Sequence, residues 1–439
     1  MVQVVLVGNG AREHAIAQAL VQGGAKLKAF MSSNNPGIAK LAEDNCKLTP
    51  LTNFKELIEF STDADFVVVG PEAPLVVGVA DALNSAGIPC IGPRIEAAQL
   101  EGSKIFTREL LQDYHVKSNI IFQAFNNMDN VESWLETLGL ENIVIKPDGL
   151  TGGKGVKVFG AHVHTKNEVL DYCKEILSGG TGFVIEEKLV GEEFTLQTFV
   201  DGSHVIPTPL VQDHKRAYEG DEGPNTGGMG SYSMSDHVLP FVSRNDVKFA
   251  LSEMEQCINA LKKETGATYK GFLYGQFMKT RKGIKLVEFN VRFGDPEAMN
   301  VLSIMESNMV ELCWKILDGT LTNTLKFKPV ATVCKYLVPK GYPVSPAKNQ
   351  PVFVDEKGLD SIGALYYYAS VDKRGKEVYT TGSRTMGLLG MGKTIEEAER
   401  VAEKATQYVK GTLFHRKDIG TAALLQKRIK NMNQILSDS

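Results

Sequence analysis

The sequence predicts an α/β protein that opens with a doubly wound parallel sheet and closes with a small β-rich domain. Three observations carry that expectation. Short apolar runs alternate with stretches of helical spacing over the first hundred residues. Strands buried on both faces need such runs, and helical crossovers are what join parallel strands. Polar loops follow three of these runs, at the strand ends where open α/β sheets bind ligands. Over the last hundred residues the pattern changes to short strands with hairpin spacing.

In order along the chain, Gln3–Val7 (QVVLV) reads as a first strand and Ala11–Val21 as a helix. A second strand precedes Asn34, and Phe66–Gly70 (FVVVG) is another. Leu75–Ala86 has helical spacing and stops at Gly87, a residue suited to a helix C-terminus. Ile88–Gly92 is a short strand closed by Pro93. Ser103–Asp113 reads as a helix with Ser103 placed to cap it. Ile143–Lys146 and Val156–Phe159 are strands around a glycine-rich loop, followed by a helix over Asn167–Leu177 and a strand over Phe183–Glu187. Longer strands are expected at Thr195–Val200 and Lys285–Phe289. Between them lie a polar, glycine-rich loop over 213–231 and a helix near 244–263. An amphipathic helix spans about 297–317, and Leu321–Lys328 is a connector. Ala331–Leu337, Ala364–Val371 and Glu377–Thr380 are strands, and Thr394–Tyr408 is a helix.

Composition bounds the function. At about 150 residues per domain, 439 residues make roughly three domains. With 43% hydrophobic and 23% charged residues the chain is that of a folded globular protein. Lys+Arg total 48 and Asp+Glu 52, for a net charge of -4. That balance argues against a nucleic-acid partner or an anionic membrane, while leaving room for a local basic cleft. No run of 18 apolar residues predicts a membrane span. The start, MVQVVLVGNG, lacks a basic region before its apolar stretch, so it is read as a strand and not as a signal peptide. Cysteines stand at 46, 90, 173, 257, 313 and 334, with no C-x-x-C pair. Zinc ligation and a thioredoxin-like centre are disfavoured, and a reducing, cytoplasmic setting is expected with the thiols as small buried hydrophobes.

Five motifs carry chemistry. Gly8-Asn9-Gly10-Ala11-Arg12-Glu13-His14 follows the first strand. Its glycines allow a tight turn that brings backbone N–H groups toward an anion. A dinucleotide fingerprint would need glycine where Glu13 stands, and an acid near residues 28–33 that is missing. A phosphate-bearing small ligand therefore fits better than a dinucleotide, with a plain strand–helix turn as the alternative. Asn34-Asn35-Pro36-Gly37 and Gly70-Pro71-Glu72 form loops at the same edge, and Glu72 could receive an amine or a hydroxyl. Lys146-Pro147-Asp148-Gly149-Leu150-Thr151-Gly152-Gly153-Lys154-Gly155 is not a Walker A loop, because it lies between strands and lacks the Ser or Thr. A glycine hairpin flanked by lysines suits a polyphosphate. The stretch Glu186-Glu187-Lys188-Leu189 with Glu193 could meet a purine edge and ribose hydroxyls, or be a hinge with solvated acids. Asp213-His214-Lys215-Arg216 and Gly223-Pro224-Asn225-Thr226-Gly227-Gly228-Met229-Gly230 form a loop costly to order without a ligand. Finally, in Val287–Glu297 the alternation of a strand places Glu288, Asn290 and Arg292 on one face. Two oxygen ligands and a guanidinium make a Mg2+ and phosphate site there, with Val287, Phe289 and Val291 on the buried face.

These motifs, with NPG (35–37), QLEGSK (99–104), GFLYGQFM (271–278) and FHRKDIG (414–420), occur in one order along nearly the whole chain. The sequence resembles the phosphoribosylamine–glycine ligases (glycinamide ribonucleotide synthetases), ATP-grasp enzymes of purine biosynthesis. The resemblance implies an ATP-grasp core between the N-terminal parallel-sheet domain and the C-terminal β-rich domain. The expected units are 1–102, a small lobe with its linker helix at 103–193, a large lobe at 194–325, and 326–439. It implies ATP and Mg2+ (or Mn2+) as cofactors, and glycine and 5-phospho-β-D-ribosylamine as substrates, in a chain expected to act as a monomer. The products would be glycinamide ribonucleotide, ADP and phosphate, by way of a glycyl phosphate.

By the same resemblance, Glu288 and Asn290 hold the metal. Lys104, Lys146, Gly153 and Lys154 contact nucleotide phosphates, with Arg216 and Asn225 reaching toward them. Glu186, Glu187, Leu189 and Glu193 meet adenine and ribose. Asp213, Lys215 and Arg292 are the catalytic set around glycine and its carboxylate. Gly8, Asn9, Gly10, Asn35, Gly37, Pro71, Glu72, Gly294 and Asp295 bind substrate. Some letters depart from the pattern: Pro147, Thr151-Gly152, Ala298-Met299 and Thr381-Gly382-Ser383-Arg384. If the Gln usual at 299 touches substrate, Met299 puts that contact in doubt.

Overall fold

The computed structural model describes residues 1–152 and 155–437. Gly153 and Lys154, two of the expected phosphate contacts, lie outside the described residues.

The N-terminal sheet runs Cys46–Leu48, Lys26–Met31, Gln3–Val7, Phe66–Val69, Cys90–Ile91, every pair parallel. Its central strand is buried from Val4 to Val7, as the unbroken apolar run requires. Next come the linker helix Lys104–Asp113 and a four-stranded antiparallel sheet: Phe122–Phe125, Phe183–Glu187, Ile143–Pro147, Lys157–Val158. This small lobe closes on its own core around Val131, Ile143, Ile145, Val169 and Ile185, distinct from the main core. The large lobe is the antiparallel sheet Val205–Pro207, Gly191–Val200, Gly271–Thr280, Gly283–Asn290. A further sheet joins Gln212–Asp213 and Gly230–Ser233 to Ala331–Pro339, Met386–Gly392 and Leu365–Tyr368. The C-terminal β-rich part is thus hydrogen-bonded directly to Gly230–Ser233, which in turn pairs with Gln212–Asp213 at the start of the glycine-rich segment.

Several elements differ from expectation. The helix expected over Leu75–Ala86 is two, Glu72–Val76 and Val79–Ser85, because Gly78 adopts φ +92 between them. The helix expected over 297–317 is also two, Glu297–Ser303 and Met309–Asp318. Asn308 restarts it, accepting from the N–H groups of Val310 and Glu311. The stretch 213–231 is not a loop but a series of short strands, including the hairpin Arg216–Tyr218 with Glu222–Asn225. The strands Gly271–Thr280 and Met386–Gly392 and the helix Ala422–Ser437 are additional elements. Ser103 caps the linker helix as expected, accepting from Phe106 N–H. All six cysteines are free, and all but Cys46 are buried.

Beyond the carboxyl end of strand Lys26–Met31, Asn35 is fully buried. Its amide N–H groups donate to the carbonyls of Asn9 (2.9 Å) and Tyr368 (2.8 Å), while its Oδ1 accepts from Gly37 (3.0 Å) and Ile38 (3.2 Å). It therefore caps the helix Pro36–Leu41 and fastens it to the C-terminal sheet. Asn35→Ala should lower unfolding free energy by about 3 kcal/mol, combining a lost cap with buried carbonyls left unpaired. Denaturant titration checks this, and a loss below about 0.5 kcal/mol would show that the carbonyls find other partners.

Candidate nucleotide and amine site

The large-lobe sheet presents a polar face made by strand register. Thr195 stands opposite Gln276, which stands opposite Glu288; Gln197 stands opposite Tyr274, which stands opposite Asn290. Polar residues at alternate positions on three neighbouring strands form two polar rows across the sheet. A bulge between Gln276 and Phe277 leaves Val287 unpaired. Val287 is half-buried there, so the apolar side of the strand end rests on Phe289 and Val291. The bulge turns the carbonyl of Val287 toward two cations, with Arg108 donating to it at 2.8 Å and Lys146 at 3.3 Å.

Glu288 stays ionised. Burial alone would raise its pKa, but Lys215, Lys146, Lys104 and Arg292 outweigh burial and hold it below the ordinary value. Asn290 donates from Nδ2 to the Phe289 carbonyl (2.7 Å), so its amide nitrogen is already engaged and its Oδ1 is the atom of a hard-cation ligand. Lys215 donates to Gln276 Oε1 (2.5 Å) and sits 3.9 Å from Glu288. Burial lowers the Lys215 pKa, but Glu193, Glu288, Asp213 and Glu297 around it outweigh that and raise it. Gln276 in turn donates to Glu193. Asp213 is pushed well above the usual carboxylate range by burial and by Glu297. Glu297 itself is buried and accepts from Tyr274 (3.0 Å) and Thr195 (3.1 Å).

The small lobe supplies Lys146 and Glu186, both buried and paired at 2.6 Å. The second Glu186 oxygen pairs with Arg108 at 2.7 Å. Both oxygens are thereby engaged, and what the segment Glu186–Glu193 can still turn to a ligand is backbone and the side chains of Leu189 and Glu193. Glu187 accepts from Ile121 N–H at 3.0 Å. Lys104 donates to the Gly149 carbonyl at 2.7 Å, and burial draws its pKa down. Asp148 accepts from Ser103 and from Ile105 N–H, tying the root of the glycine hairpin to the linker helix. Arg216 donates to Gly223 (2.8 Å) and pairs in register with Asn225.

At the N-terminal edge, Glu13 turns back on its own loop. It accepts from Gly10 N–H at 2.7 Å and pairs with Arg12 at 2.6 Å. A carboxylate therefore already engages one backbone donor that the glycine motif offers an anion. Gly8, at φ +122, lies against Glu13 and Pro71. Gly37 has no room for a Cβ because the buried His14 ring lies on it. Asn9 accepts from the Ser32 hydroxyl at 2.8 Å. Glu72 meets Arg292 at 3.1 Å and Arg12 at 3.7 Å, and these two guanidiniums overcome burial to hold its pKa at about 2. Arg292 also pairs with Glu101 at 3.0 Å, and Glu101 accepts from Val291 N–H. Burial pushes Glu101 up to about 7 despite that partner. Gly294 donates to Gln197 at 2.7 Å, and Asp295 accepts from Tyr336 and pairs with Arg384 at 3.2 Å.

The expected residues thus fall into two groups joined at Arg292. Met299 is fully buried, with its sulfur packed against Gly387 of the C-terminal sheet. Residues to which the sequence assigned no role are Arg108, Glu101, Gln276, Tyr274 and Arg384. Gln276 and Tyr274 share a strand face within GFLYGQFM, and Arg108 lies one helical turn after Lys104. Those spacings were the available clues.

Glu186→Gln tests the charge balance of the small lobe. The folded carboxylate is held at about 2 against an ordinary 4.5. Burial opposes this shift, and Arg108 and Lys146 produce it. Its contribution to stability is complete above the ordinary value and is lost as pH falls through the folded one. The stability gap between wild type and variant should therefore be largest near neutrality and shrink as pH falls from 5 toward 2. A gap independent of pH in that range would rule the pairing out as its cause.

Comparison with known proteins agrees across the chain. Family models for phosphoribosylglycinamide synthetase match as the N domain over residues 2–101, the ATP-grasp (A) domain over 102–298 and the C domain over 332–422. The phosphoribosylamine–glycine ligase of Methanothermobacter thermautotrophicus is 46% identical over 441 residues, covering 99% of this chain and 100% of the relative. That of Methanocaldococcus jannaschii is 48% identical, covering 99% of each. The crystal structure of phosphoribosylamine–glycine ligase from Thermotoga maritima superposes with a TM-score of 0.79 at 26% identity, covering 95% of this chain and 100% of that one. A biotin carboxylase domain from Hydrogenobacter thermophilus, solved with MgADP, shares the fold at a TM-score of 0.72 and 13% identity, covering 100% of this chain and 99% of that one. The fold is an ATP-grasp core between an N-terminal parallel-sheet domain and a C-terminal domain of antiparallel strands, and the chain belongs to the phosphoribosylglycinamide synthetase family.

Proposed function

We propose that this chain joins glycine to 5-phospho-β-D-ribosylamine at the expense of ATP, giving glycinamide ribonucleotide, ADP and phosphate. The observation that carries the reading is the continuity of the site. Arg292 stands two residues beyond Asn290 and reaches Glu72 at 3.1 Å, so the nucleotide half and the amine half share one guanidinium.

A carboxylate is a poor acyl donor at neutral pH. A glycine carboxylate oxygen attacks the γ-phosphorus and ADP leaves. The amine nitrogen then attacks the acyl carbon, the C–O bond to phosphate breaks, and the nitrogen sheds its extra proton. The chain's part is to position these groups and neutralise charge. Lys104 and Lys146 meet the phosphates, with Arg216 and Asn225 reaching toward them. Leu189 and Glu193 receive the nucleoside, beside Glu186 and Glu187. Lys215 and Arg292 face the reacting carboxylate, and Asp213 faces the glycine amine. Glu72, with Gly8, Asn9, Gly10, Asn35, Gly37, Pro71, Gly294 and Asp295, frames the ribosylamine. For Asn35 and Gly37 the part is to shape the loop, since their own groups are already engaged.

Glu288 and Asn290 fit Mg2+, since one ionised carboxylate and one amide oxygen leave the remaining positions to phosphates and water. When bound, the ion would neutralise charge on the transferring phosphoryl group. Mn2+ takes the same oxygen set, and comparing the two ions distinguishes them.

ADP release should require glycine and the ribosylamine together, and omission of either should lower it to the level of an ATP-only control. Equal rates with another amino acid in place of glycine would point to a different ligase. Glu288→Gln should lower turnover about 100-fold at fixed Mg2+. Near-normal turnover would remove Glu288 from the metal site.

A further inference from the structure

Arg108 was given no role above, yet its guanidinium donates to four groups at the junction of the lobes. It lies on the linker helix Lys104–Asp113 and is buried. Its Nε donates to Glu186 of the small lobe at 2.7 Å. Its Nη2 donates to the Val287 carbonyl at 2.8 Å. Its Nη1 donates to the Leu286 carbonyl and to Asn119 Oδ1, both at 3.2 Å. One planar fork thus holds a small-lobe carboxylate and two successive large-lobe carbonyls.

Each anchor leads to a nucleotide-facing group. The second oxygen of Glu186 holds Lys146 at 2.6 Å. The carbonyls of Leu286 and Val287 belong to the bulged segment immediately before Glu288. Lys146 also reaches the Val287 carbonyl, so the three side chains and the bulge form a closed ring of contacts. A buried guanidinium is costly unless its donors are satisfied, and here every partner lies at the seam between lobes. Lysine would keep the charge but not the planar fork, so it could hold only part of this set of contacts.

We infer that Arg108 is a positioning residue for the metal–nucleotide complex, fixing Lys146 on one lobe and Glu288 on the other at a common spacing. The inference rests on the proposed placement of phosphates at Lys146 and of the metal at Glu288. It separates Arg108 from residues of the amine half, where Arg292 fills the bridging place.

The test is MgADP binding by calorimetry, which needs no turnover, on full-length wild type, Arg108→Lys and Arg108→Met. Steady-state KM values for MgATP, glycine and the ribosylamine are measured alongside, with thermal unfolding as a control. We expect MgADP affinity and KM for MgATP to worsen at least tenfold in Arg108→Met, and less in Arg108→Lys. The KM values for glycine and the ribosylamine should stay within twofold. The Mg2+ concentration giving half-maximal rate should rise with the MgATP KM. If Arg108→Met does not fold, Arg108→Lys carries the test. MgADP affinity within twofold of wild type in a folded variant would overturn the inference. So would an equal rise in all three KM values, the mark of a merely structural role. Failure of the ligase reading is separate, because it would show as wild-type protein that binds MgADP but releases no ADP with glycine and the ribosylamine.

Discussion

A guanidinium clasped between two carboxylates holds this structure to its task. Arg292 pairs with Glu72, which opens the helix after strand Phe66–Val69, and with Glu101 from the segment just before the linker helix. Its side chain is largely buried, and removing one partner of such a pair typically costs about 3–5 kcal/mol because a charge is left uncompensated. The geometric consequence matters as much as the energy. The strand that carries Glu288 and Asn290 continues directly into Arg292, so the edge of the parallel sheet is pinned beside the polar face of the large lobe. Burial favours the neutral form of Glu101, whereas Glu72 is firmly ionised between Arg292 and Arg12.

The same economy of charge runs through the cleft. A net charge of -4 conceals a site where Lys104, Lys146, Lys215 and Arg292 together hold Glu288 ionised. On the other side, four acids hold Lys215 protonated. Neither set is stable as a cluster of one sign, and their interleaving lets a buried region carry many charges. The C-terminal part joins in through Arg384, which donates to the Gly228 carbonyl (3.2 Å) and the Asp295 carbonyl (2.7 Å) and lies over the Tyr336 ring. The segments around Gly228 and Asp295 are thus held together by a cation from a different part of the chain.

Much of the fold was legible because strands buried on both faces announce themselves as apolar runs: Gln3–Val7 in the parallel sheet and Phe183–Glu187 in the antiparallel small-lobe sheet coincide with the expected strands. The long helices near 297–317 and 75–86 were overextended because helical spacing survives a break when the residues on either side stay apolar. Asn308 and Gly78 are local interruptions that periodicity does not weigh. Strand Gly271–Thr280 escaped the periodicity reading because it is buried on both sides of Tyr274 and Gln276, so apolar and polar residues do not alternate cleanly. The alternation of Glu288 and Asn290 was readable from spacing alone, but the bulge at Val287 was not, since it depends on the register of a partner strand. Nothing in the sequence marks Glu101 and Arg108 as paired, and only tertiary contacts show their side chains buried against Arg292 and Glu186. Asn35 and Gly37 were legible as important, but their engagement in capping and in packing against His14 became visible only in three dimensions.

The proposed ligation depends on transfer of a phosphoryl group to glycine before the amine attacks. Glycine labelled with 18O in both carboxylate oxygens tests this directly, by mass spectrometry of the phosphate released during ligation. Each phosphate should carry one 18O atom from glycine, because the bond broken in the second step is the acyl C–O bond. Unlabelled phosphate formed in step with the ligated product would contradict the account.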